Sequence, residues 1–110
     1  MRYIFGNPGT TELPLIDALI GYPKIAYVLC LQEAAAISMA DAYAHASGEV
    51  AAANLHVGPG LGNAIGSLYN AWEGGTPLVV TAGQQDPDAA VRVPSRDRMW
   101  RSRGGMRRRR

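Results

Sequence analysis

The 110-residue sequence has one cysteine, one lysine and no long hydrophobic run. A single cysteine excludes an intrachain disulfide and any metal site built from several thiolates. Cys30 lies in an apolar segment, which predicts a packed core thiol. No apolar stretch approaches the roughly 18 residues that span a membrane, and residues 1–6 lack the pattern of a signal peptide. We therefore expect a cytoplasmic protein with no membrane partner.

Basic side chains are few in the first part of the chain, and acidic side chains are few in the last part. Residues 1–85 carry two basic and six acidic side chains, whereas residues 86–110 carry nine arginines, no lysine and three aspartates. This change divides the chain into a domain over residues 1–86 and an arginine-rich tail over residues 87–110. The tail lacks apolar periodicity, and its composition is typical of disorder.

Three interpretations of the tail stay open. An arm that binds nucleic acid would need aromatic side chains among the charges, and only Trp100 offers one, so no nucleic-acid partner is expected. A solvated tail without a role is the second interpretation. The third, which we favour, is a truncated or frame-shifted product, because arginine without lysine is typical of out-of-frame GC-rich sequence.

Short apolar segments and helix-forming segments alternate along the first 85 residues. The predicted strands are 2–5, 25–31, 50–57 and 77–82, and the predicted helices are 11–20, 34–47 and 61–72. Strands joined by crossovers of ten or more residues pair in parallel. The sequence thus predicts an α/β fold with a doubly wound parallel sheet.

Three of the predicted strand-to-helix junctions carry distinctive residues. Glu33 follows an apolar strand and precedes an alanine-rich helix, while residues 6–9 and 58–62 are rich in glycine and proline. The carboxyl ends of parallel strands form the edge at which open α/β sheets bind ligands, and glycine lets the backbone approach a ligand closely. The alternative for Glu33 is a first-turn glutamate that interacts only with the helix dipole.

Four segments carry a resemblance to a known family: FGNPGTTELP, LQEAAAISMADAYAHASG, NLHVGPGLGNAIGSLYNAW and TPLVVTAGQQ. Together they resemble the N-terminal pyrimidine-binding domain of thiamine diphosphate-dependent enzymes, of the benzoylformate decarboxylase and acetolactate synthase branch. The resemblance covers residues 1–86 and implies thiamine diphosphate as cofactor and a 2-oxo acid as substrate. Relative to the family, both ends of the chain look cut, and the domain looks incomplete.

The resemblance also implies roles for particular residues. Glu33 aligns with the glutamate that hydrogen-bonds a ring nitrogen of the cofactor's aminopyrimidine and so activates the cofactor. In a dry site we expect desolvation to raise the pKa of Glu33. His56 aligns with a histidine of the benzoylformate decarboxylase type that faces substrate and assists proton transfer. Without the resemblance, a histidine ending an apolar strand is more often a satisfied core residue.

The same resemblance implies further contacts. Thr10 occupies the place of a substrate-facing hydroxyl, although Thr10 and Thr11 could simply cap the following helix. His45 is expected to be exposed. The predicted cofactor-binding residues besides Glu33 are Asn7, Pro8, Gly9, Gly60, Asn63 and Gln84.

Part of the family's site is missing from this sequence. The family anchors the diphosphate through Mg²⁺ at a GDG-type motif on a separate domain of a partner subunit, and no such motif occurs here. The resemblance therefore implies a dimer or tetramer in the parent enzyme, with residues 34–47 and 58–62 at the interface. The isolated chain is expected to bind cofactor weakly and to be inactive.

Several functional alternatives remain at this point. The motif formed by Gly58, Pro59 and Gly60 is common among acetolactate synthases, so a carboligase competes with a decarboxylase. A nucleotide-binding α/β module is a further alternative, although the lysine and hydroxyl pair of a phosphate loop is absent. A non-catalytic remnant that acts only through interactions is the last.

Overall fold

A computed structural model describes residues 1–85. Four parallel strands form one sheet in the order β2-β1-β3-β4. The strands are β1 (Tyr3–Gly6), β2 (Ala26–Leu29), β3 (Ala51–Leu55) and β4 (Leu78–Ala82), and the helices are α1 (Leu13–Ala18), α2 (Glu33–Ser47) and α3 (Val57–Glu73). Two 3₁₀ turns, Thr10–Glu12 and Leu19–Gly21, flank α1. The predicted parallel, doubly wound α/β fold is confirmed. The predicted disorder of residues 87–110 lies outside the described residues.

The core is built from small side chains on the central strand and on α2. Every residue of β3 is buried, because β3 lies between β1 and β4 and its first three residues are alanines. Helix α2 buries one alanine-rich face, which also includes Ile37, against β1, β3 and α3. Cys30 joins this core as predicted, with 4% of its surface exposed. Small residues thus bring α2 close to the sheet.

Both ends of α2 follow from local sequence. The side chain of Gln32 accepts a hydrogen bond from the Ala35 amide at 3.0 Å and caps the first turn. Gly48 ends the helix with a φ of 69°, a left-handed conformation that costs glycine little. Glu33 is consequently fixed as the first residue of α2. His45, near the other end, is exposed as predicted.

Helix α3 begins earlier than its sequence predicts. The prediction placed a strand through residue 57 and a helix from residue 61, but β3 ends at Leu55 and α3 starts at Val57. Pro59 is tolerated because it lies in the first turn, where its missing N–H has no helical partner. The amide of Gly60 already bonds the carbonyl of His56 at 2.8 Å. His56 is therefore the N-cap of α3 rather than a strand residue.

The predicted threonine caps at Thr10 and Thr11 are not formed. Gly9 is the N-cap residue of the 3₁₀ turn, and it makes no side-chain capping hydrogen bond. Instead, the carboxylate of Glu12 accepts the Gly9 amide at 2.7 Å, and the Thr11 hydroxyl donates to the same carboxylate at 2.6 Å. The Thr11 hydroxyl is thus engaged by a charged acceptor, which makes a stronger hydrogen bond than a neutral one. Within residues 1–85, no helix is long and apolar enough to cross a membrane.

Candidate functional site

The strand order of the sheet reverses between β1 and β3. In open α/β sheets, ligands bind in the crevice outside the carboxyl ends of the strands at such a switch point. Residues 7–9 follow β1, and residues 56–60 follow β3. Glu33 reaches the same edge because α2 begins just after β2, the neighbour of β1. The topology thus brings the three glycine-rich or acidic junctions together, as the sequence predicts.

Glu33 is held between two side-chain amides. The Asn7 amide nitrogen donates to its Oε1 atom at 3.1 Å, and the Asn63 amide nitrogen donates to its Oε2 atom at 3.2 Å. Both amides must present nitrogen, because an amide oxygen would repel the carboxylate. Glu33 itself is only 6% exposed. Three of the predicted cofactor-binding residues therefore form one hydrogen-bonded cluster, drawn from the β1 loop, α2 and α3.

The pKa of Glu33 moves in the direction opposite to the prediction. Burial pushes it up, but hydrogen bonds from its own backbone amide, from Asn63 and from Asn7 outweigh burial and hold the pKa below 4.5. The sequence-based expectation of a raised pKa is therefore wrong for this structure. It counted desolvation and overlooked the three donors, two of which are supplied from 26 and 30 residues away.

Gly60 gives Glu33 room. A Cβ atom at Gly60 would lie 3.0 Å from Oε1 and 3.2 Å from Cγ of Glu33. Gly60 and Asn63 lie about one turn apart on α3, so both reach the same carboxylate. Close approach to Glu33, rather than an unusual backbone angle, is what requires glycine at position 60.

His56 forms a second cluster with Glu12. Its Nδ1 atom lies 2.8 Å from Oε2 of Glu12, whose side chain is only 1% exposed, whereas the His56 side chain is 37% exposed. Gly9 lies so close to the imidazole that a Cβ atom there would overlap the ring. The loop after β1 therefore fixes the histidine that follows β3.

Glu12 is the functional candidate that the sequence did not reveal. It accepts hydrogen bonds from the Gly9 amide and the Thr11 hydroxyl, and its Oε2 atom lies within hydrogen-bonding distance of Nδ1 of His56. Burial raises its pKa, but the bonds from Thr11, His56 and Gly9, with the charge of His56, lower the pKa to about 2. The one available signal was an acid inside the motif TTELP, immediately before an apolar helix.

The remaining predicted residues lie outside both clusters. Thr10 is exposed in the 3₁₀ turn, Pro8 is partly exposed, and Gln84 is exposed two residues beyond β4. In the part of the chain that the structure describes, these side chains donate no hydrogen bond to Glu33 or His56. Residues 1–85 also contain no group of three His, Cys, Asp or Glu side chains that could hold a metal ion.

Comparisons with known proteins agree on one family. The family model described as the N-terminal TPP binding domain of thiamine pyrophosphate enzymes matches residues 1–99. Benzoylformate decarboxylase of Pseudomonas aeruginosa is 49% identical over 83 residues, covering 74% of this chain and 15% of that protein. Acetolactate synthase isozyme 3 large subunit of Escherichia coli is 42% identical over 84 residues, covering 76% of this chain and 15% of that protein.

A solved structure gives the same result. The thiamine diphosphate-dependent 4-hydroxybenzoylformate decarboxylase of Rhodococcus jostii RHA1 superimposes with a TM-score of 0.74 at 45% identity. The match covers 80% of this chain and 16% of that one. The chain thus spans about 15% of the length of the curated relatives described above. It belongs to the family of thiamine pyrophosphate enzymes, within their N-terminal TPP-binding domain.

Proposed function

We propose that this chain supplies the pyrimidine-binding half of a thiamine diphosphate site in a 2-oxo acid decarboxylase of the benzoylformate decarboxylase type. The observation that carries the proposal is the buried Glu33 carboxylate, held by Asn7 and Asn63 at the switch point of the sheet. Bound thiamine diphosphate supplies the electron sink that decarboxylation requires. The work of this chain is to bind and orient one ring of that cofactor.

Glu33 fits this role chemically. Its two oxygens accept the side-chain amides of Asn7 and Asn63 and its own backbone amide. A carboxylate has about four acceptor positions, so one remains for a ligand. The lowered pKa keeps Glu33 ionised, so it can accept a hydrogen bond from a protonated ring nitrogen and share that proton. Burial excludes water, which would compete for the same bond. Gly60 keeps the space above Glu33 free of a side chain.

His56 supports the choice of a decarboxylase. Its Nδ1 atom is engaged by Glu12, while its Nε2 atom has no hydrogen-bond partner among residues 1–85. A partly exposed imidazole at the same sheet edge as Glu33 suits proton transfer to a substrate. Thr10 is exposed in the 3₁₀ turn, next in sequence to the Gly9 that contacts the ring, and would present its hydroxyl to the same ligand.

An acetolactate synthase-like carboligase is the second candidate. Identity of 42% to the E. coli synthase and the sequence of residues 58–60 favour it. Both candidate functions require a partner subunit in a dimer or tetramer, because Mg²⁺ and the diphosphate would be held by residues of that subunit. The predicted interface over residues 34–47 and 58–62, and the binding roles of Pro8 and Gln84, stay predictions.

The proposal is tested in an enzyme that carries this segment. Glu33→Gln keeps size and hydrogen bonding but cannot share a proton, so hydrogen–deuterium exchange at the thiazolium carbon should collapse while cofactor affinity changes little. The same substitution at the exposed Glu73 of α3 is the matched control and should leave exchange unchanged. Fast exchange in Glu33→Gln contradicts the proposal.

Two further measurements separate the candidates. His56→Ala should slow substrate steps by roughly 10²–10⁴-fold, the usual worth of general acid–base catalysis, and leave thiazolium exchange intact. Decarboxylation of an aryl 2-oxo acid, against condensation of two pyruvates, distinguishes decarboxylase from carboligase.

The 110-residue chain alone should show no micromolar binding of thiamine diphosphate and Mg²⁺ by calorimetry. A charge-assisted bond supplies only about 1–3 kcal/mol, while micromolar affinity requires about 8 kcal/mol.

A further inference from the structure

We propose that Glu12 is a positioning residue for His56: it holds the proton of the neutral imidazole on Nδ1 and leaves the Nε2 lone pair free toward the site. This inference rests on the proposed substrate-facing role of His56. Glu12 is not placed to contact a ligand itself, because its side chain is only 1% exposed.

The proton assignment follows from the partners of Glu12. Oε2 lies 2.7 Å from the Gly9 amide, which can only donate, and 2.8 Å from Nδ1 of His56. Oε1 accepts the Thr11 hydroxyl. An ionised carboxylate has no proton to give, and the pKa of Glu12 is about 2. The hydrogen between Oε2 and Nδ1 therefore belongs to the imidazole.

The ring is held in position as well as in protonation. Glu12 fixes the Nδ1 edge, and the bare Cα of Gly9 lies against the ring. Both contacts come from the segment after β1, whereas His56 follows β3, so the pair bridges the two sides of the crevice. A side chain locked in this way loses little freedom when the imidazole meets a ligand.

The Glu12 carboxylate also stabilises a positive charge on the imidazole. When Nε2 takes a proton, the ring becomes a cation, and the carboxylate 2.8 Å from Nδ1 stabilises that charge without moving. Glu33 is also close enough for its charge to interact with His56, and Tyr27 is close enough to feel the charge of Glu12. The Gly9 amide and the Thr11 hydroxyl are the other polar contacts of the carboxylate. Glu12 is the acid in direct contact with the imidazole.

Nitrogen-15 NMR of the 110-residue chain tests the proposal without cofactor. The chain contains two histidines, His45 and His56, so long-range proton–nitrogen spectra resolve each ring. We expect neutral His56 to be the Nδ1–H tautomer in the unsubstituted chain. Glu12→Ala should convert it to a mixture of both tautomers. Glu12→Gln should keep the Nδ1–H form, because the Gly9 amide anchors the glutamine oxygen at the Oε2 position.

A second carboxylate–histidine pair provides the matched control. Asp41 lies 3.4 Å from Nε2 of the exposed His45, and the Thr76 hydroxyl contacts both side chains. Asp41→Asn should change the His45 signals and leave those of His56 unaltered. An Nε2–H tautomer of His56 in the unsubstituted chain overturns the proposal, and so does an unchanged tautomer in folded Glu12→Ala. The first result needs no variant, so the test is decisive even if Glu12→Ala does not fold.

Kinetics in an enzyme that carries this segment separate this inference from the role of His56. Glu12→Ala should lower kcat toward the level of His56→Ala and change KM little, and the double variant should be no slower than His56→Ala alone. Glu12→Gln should fall between Glu12→Ala and the unsubstituted enzyme. If His56→Ala leaves kcat unchanged while NMR shows the Nδ1–H tautomer, the role of His56 is wrong and the pairing with Glu12 stands.

Discussion

Acid should weaken this domain through Glu12, and the structure sets the size of the effect. Folding lowers the pKa of Glu12 from 4.5 to about 2, so the folded state favours the ionised carboxylate. The resulting stability is present above pH 4.5 and is lost as the pH falls toward 2. At 1.36 kcal/mol per pKa unit, the contribution is about 3 kcal/mol near neutral pH and about 1 kcal/mol at pH 3.

Urea unfolding of the unsubstituted chain and of Glu12→Gln, from pH 7 to pH 3, measures this contribution. The difference in unfolding free energy between the two proteins should shrink by about 2 kcal/mol over that range. Glu73→Gln, which removes an exposed carboxylate from α3, should stay within about 0.5 kcal/mol of the unsubstituted chain at neutral pH. A difference between Glu12→Gln and the unsubstituted chain that does not vary with pH refutes the linkage.

Two further predictions concern side chains packed near the site and in the core. Gly62→Ala should raise the unfolding free energy by roughly 0.5–1 kcal/mol, because a Cβ atom at residue 62 would meet no other atom within 4 Å and alanine favours a helix. Gly60→Ala should gain less or lose stability, since its Cβ would crowd Glu33 at 3.0 Å; equal gains in urea titrations would contradict that packing. Cys30 should react with a chromogenic disulfide reagent only after unfolding, because burial raises the pKa of its thiol; rapid labelling of the folded chain would count against its place in the core.

Local pattern alone predicted most of the framework. The order of strands and helices, the parallel pairing and the position of Glu33 at the start of α2 all follow from hydrophobic periodicity and crossover length. The end of α2 at Gly48 could also be predicted, since glycine tolerates the left-handed conformation. The start of α3 could not be predicted, because proline usually marks a turn, whereas Pro59 occupies the first turn of the helix. Val57 even takes a positive φ of 43° at that start, which a β-branched residue adopts only when its surroundings impose it.

Only the tertiary structure decided which side chains of the site are hydrogen-bonded to one another. Sequence placed Glu33, Asn7 and Asn63 at one edge of the sheet, but only the fold shows that both amides point at the carboxylate and lower its pKa. Glu12 and His56 are 44 residues apart and give no joint signal in the sequence. Periodicity reports which face of an element is buried, whereas hydrogen bonds depend on distances of about 3 Å between atoms that chain order does not relate. Local sequence was therefore enough to predict the type and order of the elements. It was not enough to predict the protonation of the site.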